Sequence, residues 1–254
     1  MKINKNTFIK LVLFKENECK ALEEYLEEKA LEGWILEDRN AGFFVFKKGN
    51  PAKIKYTVDI FTELKTGEYK EYCEASGWKY ICETNKYLVF SSEEENITPI
   101  HTDEEVVLKK VRKSMLVYLF LFLWCLYLIG SDVYNAFVPN WGNNIESYGD
   151  GYLLLIMVSV IFITWLVVDL IRTGLWYIKS SKCIKQKEDI KYPTLKEFKI
   201  KMAYFDLVVI TLLILILILI LIGSFTNLDT ILGTVLVILA AIFYLVKIIK
   251  IIIN

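Results

Sequence analysis

The chain has 254 residues, of which 55% are hydrophobic, and a formal net charge of zero. A zero balance excludes a general polyanion binder, because bulk nucleic-acid affinity needs a basic surface, so no nucleic-acid partner is expected. Charged residues crowd the first half and aliphatic runs fill the second, which separates a part suited to water from a part suited to hydrocarbon.

In chain order, the opening stretch Met1 to Phe14 holds lysines and an apolar run too short for a signal-peptide core, so the first ~110 residues are expected in the cytosol. Phe8 to Phe14 is rich in strand formers, and Asn17 is expected to cap a helix running to Glu32. Cys19, Leu22, Tyr25, Leu26 and Ala30 give that helix one apolar stripe. Glu23, Glu24, Glu27, Glu28 and Glu32 crowd the same helix, and paired carboxylates can do acid-base work or bind cations, but they alternate with the stripe and are expected to form a solvated face. Gly33 terminates the helix, and Trp34 to Arg39 with Phe43 to Lys48 form a hairpin around Asn40-Ala41-Gly42.

A second strand (Ile54 to Phe61), a shorter helix (Glu68 to Ser76) and a hairpin at Asn85-Lys86 repeat the pattern. Gly33-Trp34 recurs as Gly77-Trp78, Tyr25 as Tyr69, and Phe43 to Phe46 as Tyr87 to Phe90, all at one offset. The expected fold class is therefore an α+β cytosolic domain over 1–92. It is built from two tandem βαββ repeats (about 8–49 and 52–92) paired about a pseudo-twofold axis into a ferredoxin-like or effector-binding-like sandwich. Trp34, Trp78, Phe44, Tyr56 and Tyr87 serve as sheet core or, where a cleft opens between repeats, as its ligand-binding wall. Trp34 and Trp78 lead that set because the pseudo-twofold makes them equivalent.

The stretches E-E-Y-L-E-E-K-A-L-E-G-W (Glu23 to Trp34), F-F-V-F-K-K-G (Phe43 to Gly49), Y-T-V-D-I-F (Tyr56 to Phe61) and S-G-W-K-Y (Ser76 to Tyr80) resemble the family called domain of unknown function 2812. The resemblance covers about residues 8–92 plus the helical tail. It implies a membrane-attached bacterial protein and no assigned activity. The tandem topology also resembles bacterial multidrug effector-binding domains, where a cleft between repeats holds a small ligand.

Residues 93–114 read as a linker and a basic pre-membrane segment containing His101, the single histidine. No H-E-x-x-H, G-x-S-x-G, phosphate-loop or dinucleotide pattern is present, and the five cysteines, Cys19, Cys73, Cys82, Cys125 and Cys183, form no C-x-x-C pair. No catalytic residue, metal or cofactor is expected.

Residues 115–254 carry apolar segments near 115–133, 152–171, 207–222 and 231–249, each close to the ~20 residues that cross ~30 Å of hydrocarbon. They predict an all-α four-helix transmembrane unit. Lysine and arginine fall only on one side of these segments, which predicts both termini in the cytoplasm of a bacterial inner membrane. Asp169, Arg172 and Asp206, within or next to the segments, are candidate membrane-embedded polar groups. The basic loop 179–202 is a candidate for contact with anionic lipid, and Thr194 is expected to cap a helix leading into the third segment.

Together these features predict an integral membrane protein acting as a non-enzymatic regulator or sensor, whose duplicated domain binds a small ligand or a cytosolic protein. A transporter or transport-accessory subunit is the alternative, and a membrane enzyme the third reading.

Overall fold

The computed structural model describes residues 6–40, 42–60, 67–83, 87–100, 103–137 and 151–222. The first copy of the repeat runs β1 (Thr7–Leu11), α1 (Cys19–Leu31), β2 (Trp34–Asn40) and β3 (Phe43–Lys48). The second runs β4 (Lys55–Ile60), α2 (Gly67–Ala75), β5 (Lys79–Glu83) and β6 (Tyr87–Ser92). Each copy makes a 3-stranded antiparallel sheet with its last strand in the centre, in the orders β1-β3-β2 and β4-β6-β5. The copies share fine geometry as well as topology. Gly33 (φ 82°) and Gly77 (φ 90°) end the two helices in a left-handed conformation that a side chain disfavours. A bulge interrupts β2 at Leu36/Asp38 and β5 at the matching Tyr80/Cys82.

Alternation along the strands sets the packing. In β3, Phe44 and Phe46 are fully buried and stack at 6.4 Å. In β6, Tyr87, Leu88, Val89 and Phe90 are all buried, so both faces of the second sheet are covered. One face packs Leu88 and Phe90 with Cys73 of α2 and with Trp78. On the other, Tyr87 meets Phe14 at 4.6 Å between ring centroids. Helix α1 lies against β4 of the second copy as well as β2 of its own, burying Leu22, Tyr25, Leu26 and Ala30.

Asn17 does not cap α1. A short 3-10 turn, Glu16–Glu18, precedes the helix, and the backbone N–H of Lys15 donates to the Glu18 carboxylate at 3.0 Å. Asn17 is buried, and its Oδ1 accepts no hydrogen bond among the described residues. The linker is not a free tether either: Ile97 and Ile100 pack on the Trp78 cluster, and the Thr98 carbonyl accepts the Trp78 indole N–H at 3.0 Å.

Three longer helices follow, α3 (Glu104–Phe137), α4 (Gly151–Gln186) and α5 (Leu195–Ile222). The chain divides into two compact units, Met1–Arg112 with Tyr177–Met202, and Lys113–Trp176 with Ala203–Asn254. The basic middle segment thus belongs with the repeats. Within the first unit, Val107 and Val111 of α3 are buried. Lys187 (φ 59°) ends α4, and Thr194 starts α5 with a reciprocal capping box: Thr194 N–H donates to Glu197 Oε2 at 2.9 Å and Glu197 N–H to Thr194 Oγ1 at 3.4 Å. Within the second unit, Trp165 and Phe205 meet at 5.6 Å.

The expected four-helix transmembrane unit is corrected. Among the described residues, no helix is long and apolar enough to cross a membrane. The charged first turns of α3 belong to the repeat-containing unit, Asp169 and Arg172 lie within α4, and Asp206 lies within α5. The integral-membrane function, the multi-pass inner-membrane location and the membrane-embedded reading of Asp169, Arg172 and Asp206 are withdrawn on the same finding. The fourth expected segment, 231–249, lies outside the described residues.

Candidate functional site

A cleft of about 920 Å³ in the first unit lies where α1, β4, residues 95–100 and 103–107 and Tyr192 meet. Its construction begins with β4, which pairs with β6 on one edge only. An open strand edge leaves every second N–H without a ladder partner. Helix α1 supplies acceptors: Glu23 Oε1 accepts the Val58 N–H at 2.7 Å and the Thr57 hydroxyl at 3.4 Å, and Glu27 Oε1 accepts the Tyr56 N–H at 3.4 Å. The match is geometric. Four residues along a helix rise about 6 Å and two residues along a strand about 6.7 Å, so an i, i+4 pair of carboxylates reaches an i, i+2 pair of amides.

Around this seam acidic and apolar side chains both line the cleft. Glu16, Glu23, Glu27, Glu95, Asp103 and Glu104 line it, against Lys20 and Lys55. Trp78, Ile97, Ile100 and Val107 are among the apolar ones. Burial pushes the Glu23 carboxyl up to about 7, the bonds from Val58 and Thr57 opposing the shift and the charge of Glu27 adding to it. Among the described residues, no three carboxylate, histidine or cysteine groups converge on a metal-sized point.

Of the other acids expected on a solvated face, Glu24 and Glu32 are exposed as expected and Glu28 is half-buried; Glu18, in the turn before α1, was not among them. Glu18 is buried and forms an ion pair with Lys201 at 2.6 Å, the two side chains being 6% and 12% exposed. Glu28 pairs with Lys199, and Glu32 with Lys29 at 2.5 Å. Phe198 is fully buried with its ring 6.1 Å from Tyr25. The loop expected to meet anionic lipid therefore commits Lys199 and Lys201 to α1 within the same unit. Only Glu24 of the five acids of the expected face is exposed without an ion pair to a lysine among the described residues.

Of the aromatic residues chosen from sequence, Trp78 and Tyr56 line the cleft. Trp78 is 4% exposed, and the Tyr56 hydroxyl accepts the Leu36 N–H at 3.4 Å. Trp34 does not join them. It begins β2 beside Phe8, 5.6 Å away, and Lys48. Phe44 and Tyr87 are core, both against Phe14. The equivalence of Trp34 and Trp78 is lost because residues 95–100 and 103–107 cover only the second copy. Glu23 and Glu27 were assigned to a solvated face from the sequence, and Lys20 and Tyr192 were not singled out by it. Glu23 and Glu27 each directly follow a buried stripe residue, Leu22 and Leu26, which was the available signal.

No curated protein and no solved structure matches this chain. The matched family stretch begins at the turn before α1 and ends within α3, so it contains the acidic seam and Trp78 but not Tyr192. Over residues 18–123 the chain matches the family described as protein of unknown function (DUF2812).

Proposed function

We propose that the duplicated domain binds a small organic cation in the cleft between α1 and β4. The observation that carries this reading is a cleft lined by acidic side chains, the largely buried Glu23 among them, together with apolar ones, Trp78 among them. A carboxylate raised to about 7 by burial gains from any cation that enters beside it, since the partner favours the charged form. The apolar side chains contribute area burial for the carbon skeleton. A neutral ligand forgoes the acidic side chains, and an anion is repelled by them.

The test is thermal-shift and tryptophan-fluorescence titration of the full chain at pH 8 with choline, spermidine, benzoate and an uncharged alcohol. Choline or spermidine should raise the melting temperature, and Glu23→Gln should weaken the response about tenfold. Stabilisation by benzoate or the alcohol, with none by either cation, would overturn the reading.

A further inference from the structure

One wall of the cleft comes from far along the chain. Tyr192 lies in the short connection between α4 and α5, just after the buried Ile190. It is fixed from both directions: the Thr194 capping box starts α5 directly behind it, then Phe198 seats on Tyr25 and Lys201 reaches the buried Glu18. Its phenol is pushed up to about 12, by burial first and by the charge of Glu104 next. The ring is therefore neutral at any physiological pH and retains the negative face that attracts cations.

A cation is already on that face. The ammonium of Lys20 lies 4.1 Å from the Tyr192 ring centroid. Lys20 is one turn from both Glu16 and Glu23 on α1, and its charge favours the ionised form of Glu23. The side chain is otherwise exposed, so swinging it out into water disturbs no packed residue. Lys20 thus holds the position that the cation-binding reading assigns to a ligand.

We propose that Tyr192 and Glu23 form the onium-recognition subsite of the cleft and that Lys20 is its tethered resident, which an incoming organic cation must displace. This rests on the cation reading above. Lys20 sets specificity by competition: a primary ammonium gains little over the resident. A quaternary ammonium, more weakly hydrated and broader across the ring, gains more from the aromatic face and displaces it.

The experiment is calorimetric titration of the full chain at pH 8 with choline and with its neutral carbon isostere, dimethylbutanol. The proteins compared are wild type, Lys20→Met, Tyr192→Phe and Tyr192→Leu. Lys20→Met should tighten choline about fivefold and leave the isostere unchanged, since an exposed site on α1 tolerates the change. Tyr192→Phe should retain choline affinity within about twofold, and Tyr192→Leu should lose about tenfold. If wild type binds choline but Lys20→Met leaves it unchanged, weakens it or tightens the isostere equally, the resident role is overturned while the cation site stands. If choline binds none of the proteins, both the cation site and the resident role fall.

Discussion

At the scale of single residues, the informative groups are those whose charge is taken out of water. Glu23 is the clearest. Its carboxyl is raised from an ordinary 4.5 to about 7, so between those values the folded chain binds a proton that the unfolded chain has released. Stability linked to Glu23 is therefore full below about pH 4.5 and is lost as pH rises to about 7. Glu23→Gln keeps an amide oxygen for the Val58 N–H and removes the titration. Its melting temperature relative to wild type should rise between pH 5 and pH 8; a constant difference would refute the assignment. Cation binding runs the other way, since choline needs the ionised form. Affinity should fall about tenfold from pH 8 to pH 6, and Glu23→Gln should abolish that dependence.

The Glu18–Lys201 pair invites a harsher test at the same scale. Removing one partner of a buried pair leaves the other charge without compensation, which costs about 3–5 kcal/mol. Lys201→Met should approach that loss in denaturant unfolding, and Glu18→Gln combined with Lys201→Met should recover most of it. An exposed pair would instead give less than about 1 kcal/mol either way.

At the scale of elements, α1 does two jobs with two faces. Leu22 and Leu26 anchor it by burial, and Glu23 and Glu27 beside them close the free edge of β4. An edge so covered cannot pair with another chain. The double variant Glu23→Ala, Glu27→Ala should expose it, giving faster amide exchange at Tyr56 and Val58 and concentration-dependent association by light scattering. Unchanged exchange would mean that the β4–α1 seam is held by side-chain packing alone. The α4–α5 connection is the second such element. Phe198→Ala removes a fully buried ring and should cost about 3–5 kcal/mol, more than an ordinary loop substitution.

At the scale of the whole chain, residues separated by more than a hundred positions complete one unit. Tyr177–Met202 joins Met1–Arg112, bringing Tyr192 to the cleft and Lys201 to Glu18. A fragment of residues 1–112 therefore lacks a cleft wall and retains Glu18 without its lysine. It should melt below a fusion that appends residues 177–202 through a flexible linker, and only the fusion should bind choline. Equal melting of the two would remove the segment from the unit.

What the sequence determined by itself is local and repetitive. Strand-forming runs, helix-terminating Gly33 and Gly77, the recurrent Gly-Trp pair and the Thr194 cap each follow from steric or hydrogen-bond preferences within a few residues. Periodicity also placed the apolar stripe of α1 correctly, because burial of Leu22, Tyr25 and Leu26 repeats with the helix turn. It misread the acids beside the stripe, since a carboxylate facing water and one facing a strand edge have the same spacing. Apolar runs in the second half likewise predicted spans that no described helix supplies, a hydrophobic run being the same string of letters whatever it packs against. Only tertiary structure decided which lysines meet Glu18 and Glu28, which tryptophan lines a cleft, and that Tyr192 faces Lys20. Those pairings depend on distances across the fold, which chain spacing does not encode.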